Sequence, residues 1–255
     1  MRGSDKATVL LLAGTGEARR LASAICDTLP EVDLISSLAG VTSKPAPIAG
    51  TKREGGFGGV DGLCRFLEQE SVVAVLDATH PFAEGMTRNA VEACGKTGTP
   101  LLRLERAPWT ETPDDIWHHV PSLADAASHL SGFGGRALLT VGSKDLLAFR
   151  DVQGPTIIAR MTEPPEKGIM PQNFKILLER GPFDLPHERA LMSRLKIDLL
   201  VTKNSGGDAV AAKLDAAREL RIPVLIVDRS AVPATETTTS LEDTVEWVKE
   251  IVRGS

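Results

Sequence analysis

Apolar positions along this chain follow two alternating spacings. Short unbroken runs such as Val9 to Ala13 and Val72 to Leu76 read as strands buried on both faces. Between them, apolar residues recur at intervals of three and four, as one face of a helix requires. Ala18, Leu21, Ala22 and Ile25 form the first such stripe, a strand is predicted at Val32 to Ser36, and Leu63, Phe66 and Leu67 stripe a second helix. The run at Val72 follows, then a helix carrying Met86, Ala90 and Ala93, then a strand over Pro100 to Leu104. From Arg106 to Pro121 no period is sustained, which predicts a linker and a boundary near residue 119. The alternation then resumes, with strands at Ala137 to Val141, Thr156 to Arg160, Lys175 to Leu178, Asp198 to Thr202 and Pro223 to Val227. Helical stripes lie at Val210, Leu214, Ala217 and Leu220 and at Leu241, Val245, Val248 and Val252. Strands alternating with helices predict an α/β protein of two doubly wound lobes, 1–119 and 120–255, each a mostly parallel sheet flanked by helices. Two such lobes are expected to hold a ligand in a cleft between them.

Composition narrows the class. The 255 residues are 42% hydrophobic and 25% charged, enough for two sizeable cores, and the net charge of -5 argues against nucleic acid or an anionic membrane as a partner. Three widely spaced cysteines, Cys26, Cys64 and Cys94, resemble buried thiols in a reducing cytoplasm rather than a disulfide framework. The first apolar run is too short for a signal peptide or a membrane span. No CxxC or HxxxH spacing is present and the adjacent His118 and His119 would point apart, so no metal site is expected.

Candidate chemistry gathers where the predicted strands end. The first strand runs into Gly14-Thr15-Gly16-Glu17-Ala18-Arg19, a glycine pair that lets a diphosphate approach the backbone while the following helix offers its N-H groups. Arg19 stands where the full dinucleotide fingerprint wants a small residue, so a tight turn without a ligand is the competing reading. The second strand ends in Ser36-Ser37 with no carboxylate for a ribose 2'-hydroxyl; hydroxyls there, with Lys44 or Arg53, would suit a 2'-phosphate, which favours NADPH over NADH. Gly55-Gly56-Phe57-Gly58-Gly59 could pass beside a planar ligand or serve as a hinge. The run at Val72 stops in Asp77-Ala78-Thr79-His80-Pro81-Phe82, a polar tip at the edge of the sheet where ligands bind; capping of the next helix by Asp77 or Thr79 would account for the same residues. In the second lobe Lys203-Asn204-Ser205-Gly206-Gly207 has the makings of an anion pocket at a helix start, or of a cap. The chain has no tyrosine, which removes the Tyr-Lys relay of short-chain dehydrogenases, and it carries neither a P-loop nor a Gly-x-Ser-x-Gly elbow.

Taken in order, Leu12 to Glu17, Ser36 to Thr42, Gly55 to Gly59, Asp77 to Ala83, Leu102 to Arg106 and Val201 to Gly207 resemble the precorrin-6A reductase family of cobalamin biosynthesis across nearly the whole chain. The resemblance implies two Rossmann-like lobes and NADPH-dependent reduction of one carbon-carbon double bond of the precorrin-6A macrocycle, giving precorrin-6B. A sister branch acts on the cobalt-containing substrate, and a non-catalytic nucleotide sensor or tetrapyrrole carrier on the same fold is the alternative from another class. On this reading Gly14, Thr15, Gly16, Glu17, Ser37, Lys44, Asp77, Ala78, Thr79, Asn204, Ser205 and Gly206 are expected at the cofactor. His80 and Lys203 are candidates for delivering the proton, with solvent as their rival, and Arg88, Arg103, Arg106, Lys144 and Lys203 for meeting substrate carboxylates. A cytoplasmic monomer or small homo-oligomer is expected.

Overall fold

The computed structural model describes residues 6–39, 46–165 and 173–254. Its contacts divide the chain into two units: Met1–Arg106 with Ala231–Ser255, and Ala107–Ser230. In the first, β1 (Ala7–Leu12), β2 (Val32–Leu38), β3 (Thr51–Glu54), β4 (Val72–Asp77), β5 (Leu101–Leu104) and β12 (Glu236–Thr238) form a six-stranded parallel sheet. The order is β12-β5-β4-β1-β2-β3, so the direction of winding switches between β1 and β4.

Alternate residues of the central strands face opposite helical layers, as the period of two dictates. Val9 and Leu11 pack with Leu21 and Ile25 of α1 (Gly16–Thr28) and with Val248 of α7 (Leu241–Gly254). Leu10 and Leu12 pack with Leu63 and Leu67 of α2 (Gly59–Gln69) and with Ala90 and Cys94 of α3 (Glu84–Thr97). Cys94 is a core side chain whose thiol burial pushes up to about 12, helped by nearby Cys64 and Asp77, and all three cysteines are free.

The second unit repeats the plan. Its sheet, order β6-β11-β10-β7-β8-β9, comprises β6 (Trp117–Val120), β7 (Arg136–Leu139), β8 (Thr156–Met161), β9 (Phe174–Leu178), β10 (Leu199–Lys203) and β11 (Val224–Val227), all parallel. The helices are α4 (Leu123–Leu130), α5 (Leu185–Leu195) and α6 (Ala212–Glu219). Leu138, Ile158 and Leu200 form one core with Leu191 and Met192 of α5 and Leu214 and Ala217 of α6.

The units differ from the expected halves at both ends. The aperiodic stretch from Arg106 holds a strand, β6, which pairs with β11, and Arg218 binds Asp115 of the preceding loop through Nε at 2.9 Å and Nη2 at 3.2 Å. This stretch therefore belongs to the second unit. At the other end, β12 pairs with β5, and the apolar stripe of α7 is buried against α1, so the last 25 residues return to the first unit. Covalent order alone did not show either crossing, because an edge strand's pairing is a tertiary property.

Candidate functional site

At the carboxyl edge of the first sheet the ends of β1, β2 and β4 are stitched level. Ala13 N–H donates to the Ser37 carbonyl at 2.9 Å, and Ala78 N–H to the Leu12 carbonyl at 2.9 Å. Gly14 turns the chain with φ +149°, a conformation side chains disfavour, and Thr15 caps α1. The Thr15 hydroxyl accepts from Ala18 N–H at 3.0 Å and donates to the Ala78 carbonyl at 2.9 Å, so it fastens the turn to β4. The first-turn N–H groups at Gly16 and Glu17 have no intrahelical acceptor and are donors that could receive an anion. Glu17 carries a carboxylate to the same place, partly neutralised by Arg106 at 3.5 Å and Arg20 at 3.4 Å.

Beside this turn lies a cavity of about 340 Å³. Its walls come from Leu12 to Gly14, from Ser37 to Ala39 at the end of β2, from Glu54 to Phe57 after β3, and from Thr79, His80, Ala83 and Met86 after β4. Most of the lining is apolar. The Gly55-Gly56-Phe57 run is thus a cavity wall, and Gly62 makes it possible: a Cβ there would stand 1.7 Å from the Phe57 carbonyl oxygen.

Arg53 on β3 braces that wall. Its guanidinium lies 3.8 Å from the centre of the Phe57 ring and donates to the Gly55 and Gly56 carbonyls and, at 3.3 Å, to Ser37 Oγ. Every one of these partners is neutral, and neighbouring Glu54 pairs instead with Lys52 at 2.8 Å. Burial pulls the Arg53 pKa down from its ordinary value. Ser36, by contrast, donates to the Ala49 carbonyl at 2.8 Å inside the fold. Lys44, the other cation expected at a 2'-phosphate, lies outside the described residues.

The polar tip of β4 divides its labour. Asp77 is 1% exposed and is wholly engaged: Oδ1 accepts from Thr79 N–H at 3.1 Å and Thr79 Oγ1 at 2.6 Å, and Oδ2 accepts from Thr87 Oγ1 at 2.7 Å. Buried Arg103 reaches toward it, Nε at 3.9 Å, and binds Glu105 at 3.1 Å. Neither Asp77 nor Thr79 caps the next helix, since α3 begins after Ala83. Ala78 is buried and contributes its backbone. Thr79 and His80 reach the cavity, where His80 Nδ1 accepts from Phe82 N–H at 3.2 Å, which puts the proton of a neutral ring on Nε2.

The corresponding loop of the second unit is occupied by its own chain. The Asn204 side chain accepts from Trp109 N–H at 2.8 Å and donates to the Trp109 carbonyl at 3.2 Å, while Trp109 Nε1 donates to the Gly207 carbonyl at 3.1 Å. Gly206, at φ +66°, would bring a Cβ to 2.1 Å from the Ala107 carbonyl oxygen. Ser205 is buried, with its N–H donated to the Lys203 carbonyl at 2.7 Å. The glycine pair is followed by a short 3-10 turn, and α6 starts only at Ala212, so the helix end expected to complete an anion pocket stands away from it. The loop latches the incoming segment 107–109. Lys203 Nζ stands 2.6 Å from Asp145 Oδ2. Of the other cations, Arg88 donates to the Ala231 carbonyl at 2.8 Å and Lys144 is exposed.

The structure therefore brings Gly14, Ser37, Thr79 and His80 onto one cavity and sets Thr15, Asp77 and Ala78 behind it as framework. Sequence reasoning missed Leu38, Ala39, Ala83 and Met86 on its walls. Such residues carry no signal beyond following a strand end.

The family model for precorrin-6x reductase CbiJ/CobK matches residues 8–249. A precorrin-6A reductase of Rhodococcus erythropolis is 46% identical over 246 residues, 96% of this chain and 98% of its own. One from Rhodobacter capsulatus is 40% identical over 242 residues, 95% and 96% of the two chains. A cobalt-precorrin-6A reductase of Priestia megaterium is 31% identical over 234 residues, 87% of this chain and 90% of that one. Among solved structures, CobK precorrin-6A reductase aligns with a TM-score of 0.89 at 39% identity, covering 98% of this chain and 100% of that one. No helix among the described residues is long and apolar enough to cross a membrane.

Proposed function

The chain belongs to the precorrin-6x reductase family, oxidoreductases of cobalamin biosynthesis that act on a CH-CH bond, and from that premise we propose that it reduces precorrin-6A to precorrin-6B with NADPH. The observation that carries the cofactor choice is Arg53, a partly desolvated cation whose guanidinium, among the described residues, is hydrogen-bonded to Ser37, Gly55 and Gly56 in the walls of a cavity beside a glycine turn. A reductase of this kind needs a nicotinamide donor, and in doubly wound sheets a dinucleotide lies across the switch point of the strand order. Here that point is between β1 and β4.

The fit follows from the residues. The diphosphate suits the end of α1, where Gly14 leaves the approach open and the helix N–H groups face out. The cavity lies on the β1-β2-β3 side of the switch point, the half that takes the adenosine, so Ser37 and Arg53 are the groups for its ribose and 2'-phosphate. His80, a wall of the same cavity, then belongs to the cofactor pocket rather than to proton delivery. When bound, the nicotinamide supplies a hydride and the macrocycle the conjugated acceptor. The chain orients both and keeps the cofactor's charge satisfied. In the second unit, exposed Lys144 is the cation offered to a carboxylate-rich substrate, whereas Lys203 is already paired with Asp145 at 2.6 Å. The cobalt-free substrate is favoured by the similarity itself, 46% to a precorrin-6A reductase against 31% to a cobalt-precorrin-6A reductase.

Incubation with precorrin-6A and NADPH tests the reading: nicotinamide absorbance falls as precorrin-6B forms, whereas a carrier or sensor leaves it unchanged. A finer test is Arg53→Leu. Losing one charge-assisted contact of about 1.5–3 kcal/mol weakens NADPH binding about ten- to a hundredfold. NADH, which has no 2'-phosphate, should lose far less. Equal losses for the two nucleotides would remove Arg53 from the 2'-phosphate.

A further inference from the structure

Asp77 ends a strand that is otherwise entirely apolar, and its side chain is only 1% exposed. Taking a carboxylate out of water is costly, and replacing buried ionic groups by apolar ones of similar volume is often neutral or stabilising. Core stability therefore gives no reason for a charge here. What the charge does is local. Through Oδ1 it accepts from both the N–H and the hydroxyl of Thr79, closing a tight turn two residues long. Through Oδ2 it holds Thr87 of α3, with Arg103 of β5 at 3.9 Å. One buried side chain thus ties β4, α3 and β5 together, and the turn it closes delivers Thr79 and His80 to the cavity wall. His80 is oriented from its other side by the Phe82 N–H. Thr79 Oγ1 has given its only proton to Asp77, so the hydroxyl's direction is set by the carboxylate.

We infer that Asp77 is the positioning residue of this cavity, acting on the ligand only through the turn that presents Thr79 and His80; the inference rests on reading the cavity as part of the NADPH site. The two oxygens of Asp77 separate its local task from its packing task, because Oδ1 serves the turn and Oδ2 serves α3.

The experiment uses that separation. NADPH is titrated by nicotinamide fluorescence against the intact protein, Asp77→Ala and Thr87→Val, with thermal midpoints recorded for each. Asp77→Ala removes the acceptor of both Thr79 donors together with the tie to Thr87, whereas an amide at this position could keep its oxygen on Thr79 and donate to the Thr87 hydroxyl. The NADPH Kd of Asp77→Ala is therefore expected to rise tenfold or more, and in turnover the NADPH KM to rise more than kcat falls. Thr87→Val removes only the tie to α3; its midpoint drops while its NADPH Kd stays within twofold of the parent. Unchanged affinity in Asp77→Ala overturns the inference, as do equal losses of affinity in both variants, which would trace to loosened packing. If Asp77→Ala does not fold, Thr79→Val decides: a fivefold or greater weakening supports the positioning role and a parental Kd overturns it. Failure of the parent to bind NADPH overturns the cofactor reading and this inference together, whereas parental binding left intact by the variants overturns this inference alone.

Discussion

Gly62→Ala is expected to abolish tight NADPH binding although residue 62 does not line the cavity. A Cβ at this position stands 1.7 Å from the Phe57 carbonyl oxygen and 2.8 Å from its carbonyl carbon, and both atoms are backbone. No rotamer change relieves such a clash, so either α2 or the Gly55-Phe57 wall must move. The wall is the weaker of the two, because α2 is anchored by Leu63 and Leu67 in the core while the loop is held by Arg53 and the Phe57 ring. Pushing Phe57 out opens the cavity and pulls the Arg53 guanidinium away from Ser37. Overpacking of this kind costs about 1–3 kcal/mol of stability, and the loss of a formed pocket comes on top of it. The expected result is a lowered midpoint with an NADPH Kd raised about a hundredfold or more, equivalent to roughly 2.8 kcal/mol. Gly95→Ala is the matched control: it too sits in a helix interior, its Cβ would meet nothing within 4 Å, and it should stabilise the protein by up to about 1 kcal/mol. Parental NADPH affinity in Gly62→Ala would show that the Phe57 wall plays no part in holding the cofactor.

The largest loss of stability is expected in the second unit, from Glu188→Ala. Arg160 of β8 and Glu188 of α5 form a two-pronged ion pair, Nη1 to Oε2 at 2.9 Å and Nη2 to Oε1 at 2.7 Å, with side chains 7% and 2% exposed. The guanidinium is further covered by the Phe183 ring at 4.3 Å, and a second carboxylate, Glu179, stands 3.9 Å away. Removing Glu188 takes away the cation's two-pronged partner and leaves it the looser contact with Glu179, and breaking a buried pair of this kind costs about 3–5 kcal/mol, here toward the lower end. At roughly 2–4 °C per kcal/mol for a protein of this size, the midpoint should fall on the order of 10 °C. Removing both charges is a different matter. Arg160→Met with Glu188→Leu leaves no unpaired charge and should recover most of that loss, because the attraction within the pair does little more than repay its desolvation. A double variant as unstable as Glu188→Ala would show instead that the pair itself is strongly stabilising.

The two variants probe different degrees of legibility. The central strands could be read directly: β1, β4, β10 and β11 are buried on both faces, so the requirement for apolar residues at every position is written into the chain. The stripes of α1, α3 and α7 were equally plain. Three edge strands were not. β3 is Thr-Lys-Arg-Glu, β6 is Trp-His-His-Val and β12 is Glu-Thr-Thr, and such polar segments become strands only because an apolar neighbour offers a free row of N–H and C=O groups. For the same reason the boundary near residue 119 fell inside the second unit, and the return of α7 to the first unit went unread.

At the site the same division holds. Position along the chain determined which residues would gather, since βαβ winding sends the ends of β1, β2 and β4 to one edge of one sheet; Gly14, Ser37, Thr79 and His80 were found that way. Tertiary structure decided what each of them does. Asp77 and Asn204 have the chemistry of ligand-binding groups, yet the first is turned inward by Thr79 and Thr87 and the second is clasped by the backbone of Trp109. A side chain's partners are set by distance in space, and those distances join residues 10 and 95 positions apart. What the sequence by itself determined is the alternation of strand and helix and the polar tips of the strands, both consequences of local spacing and burial. The tertiary structure alone decided which tips are framework and which line the cavity, because a buried hydrogen-bonding group is claimed by whatever partner the packing brings within 3 Å.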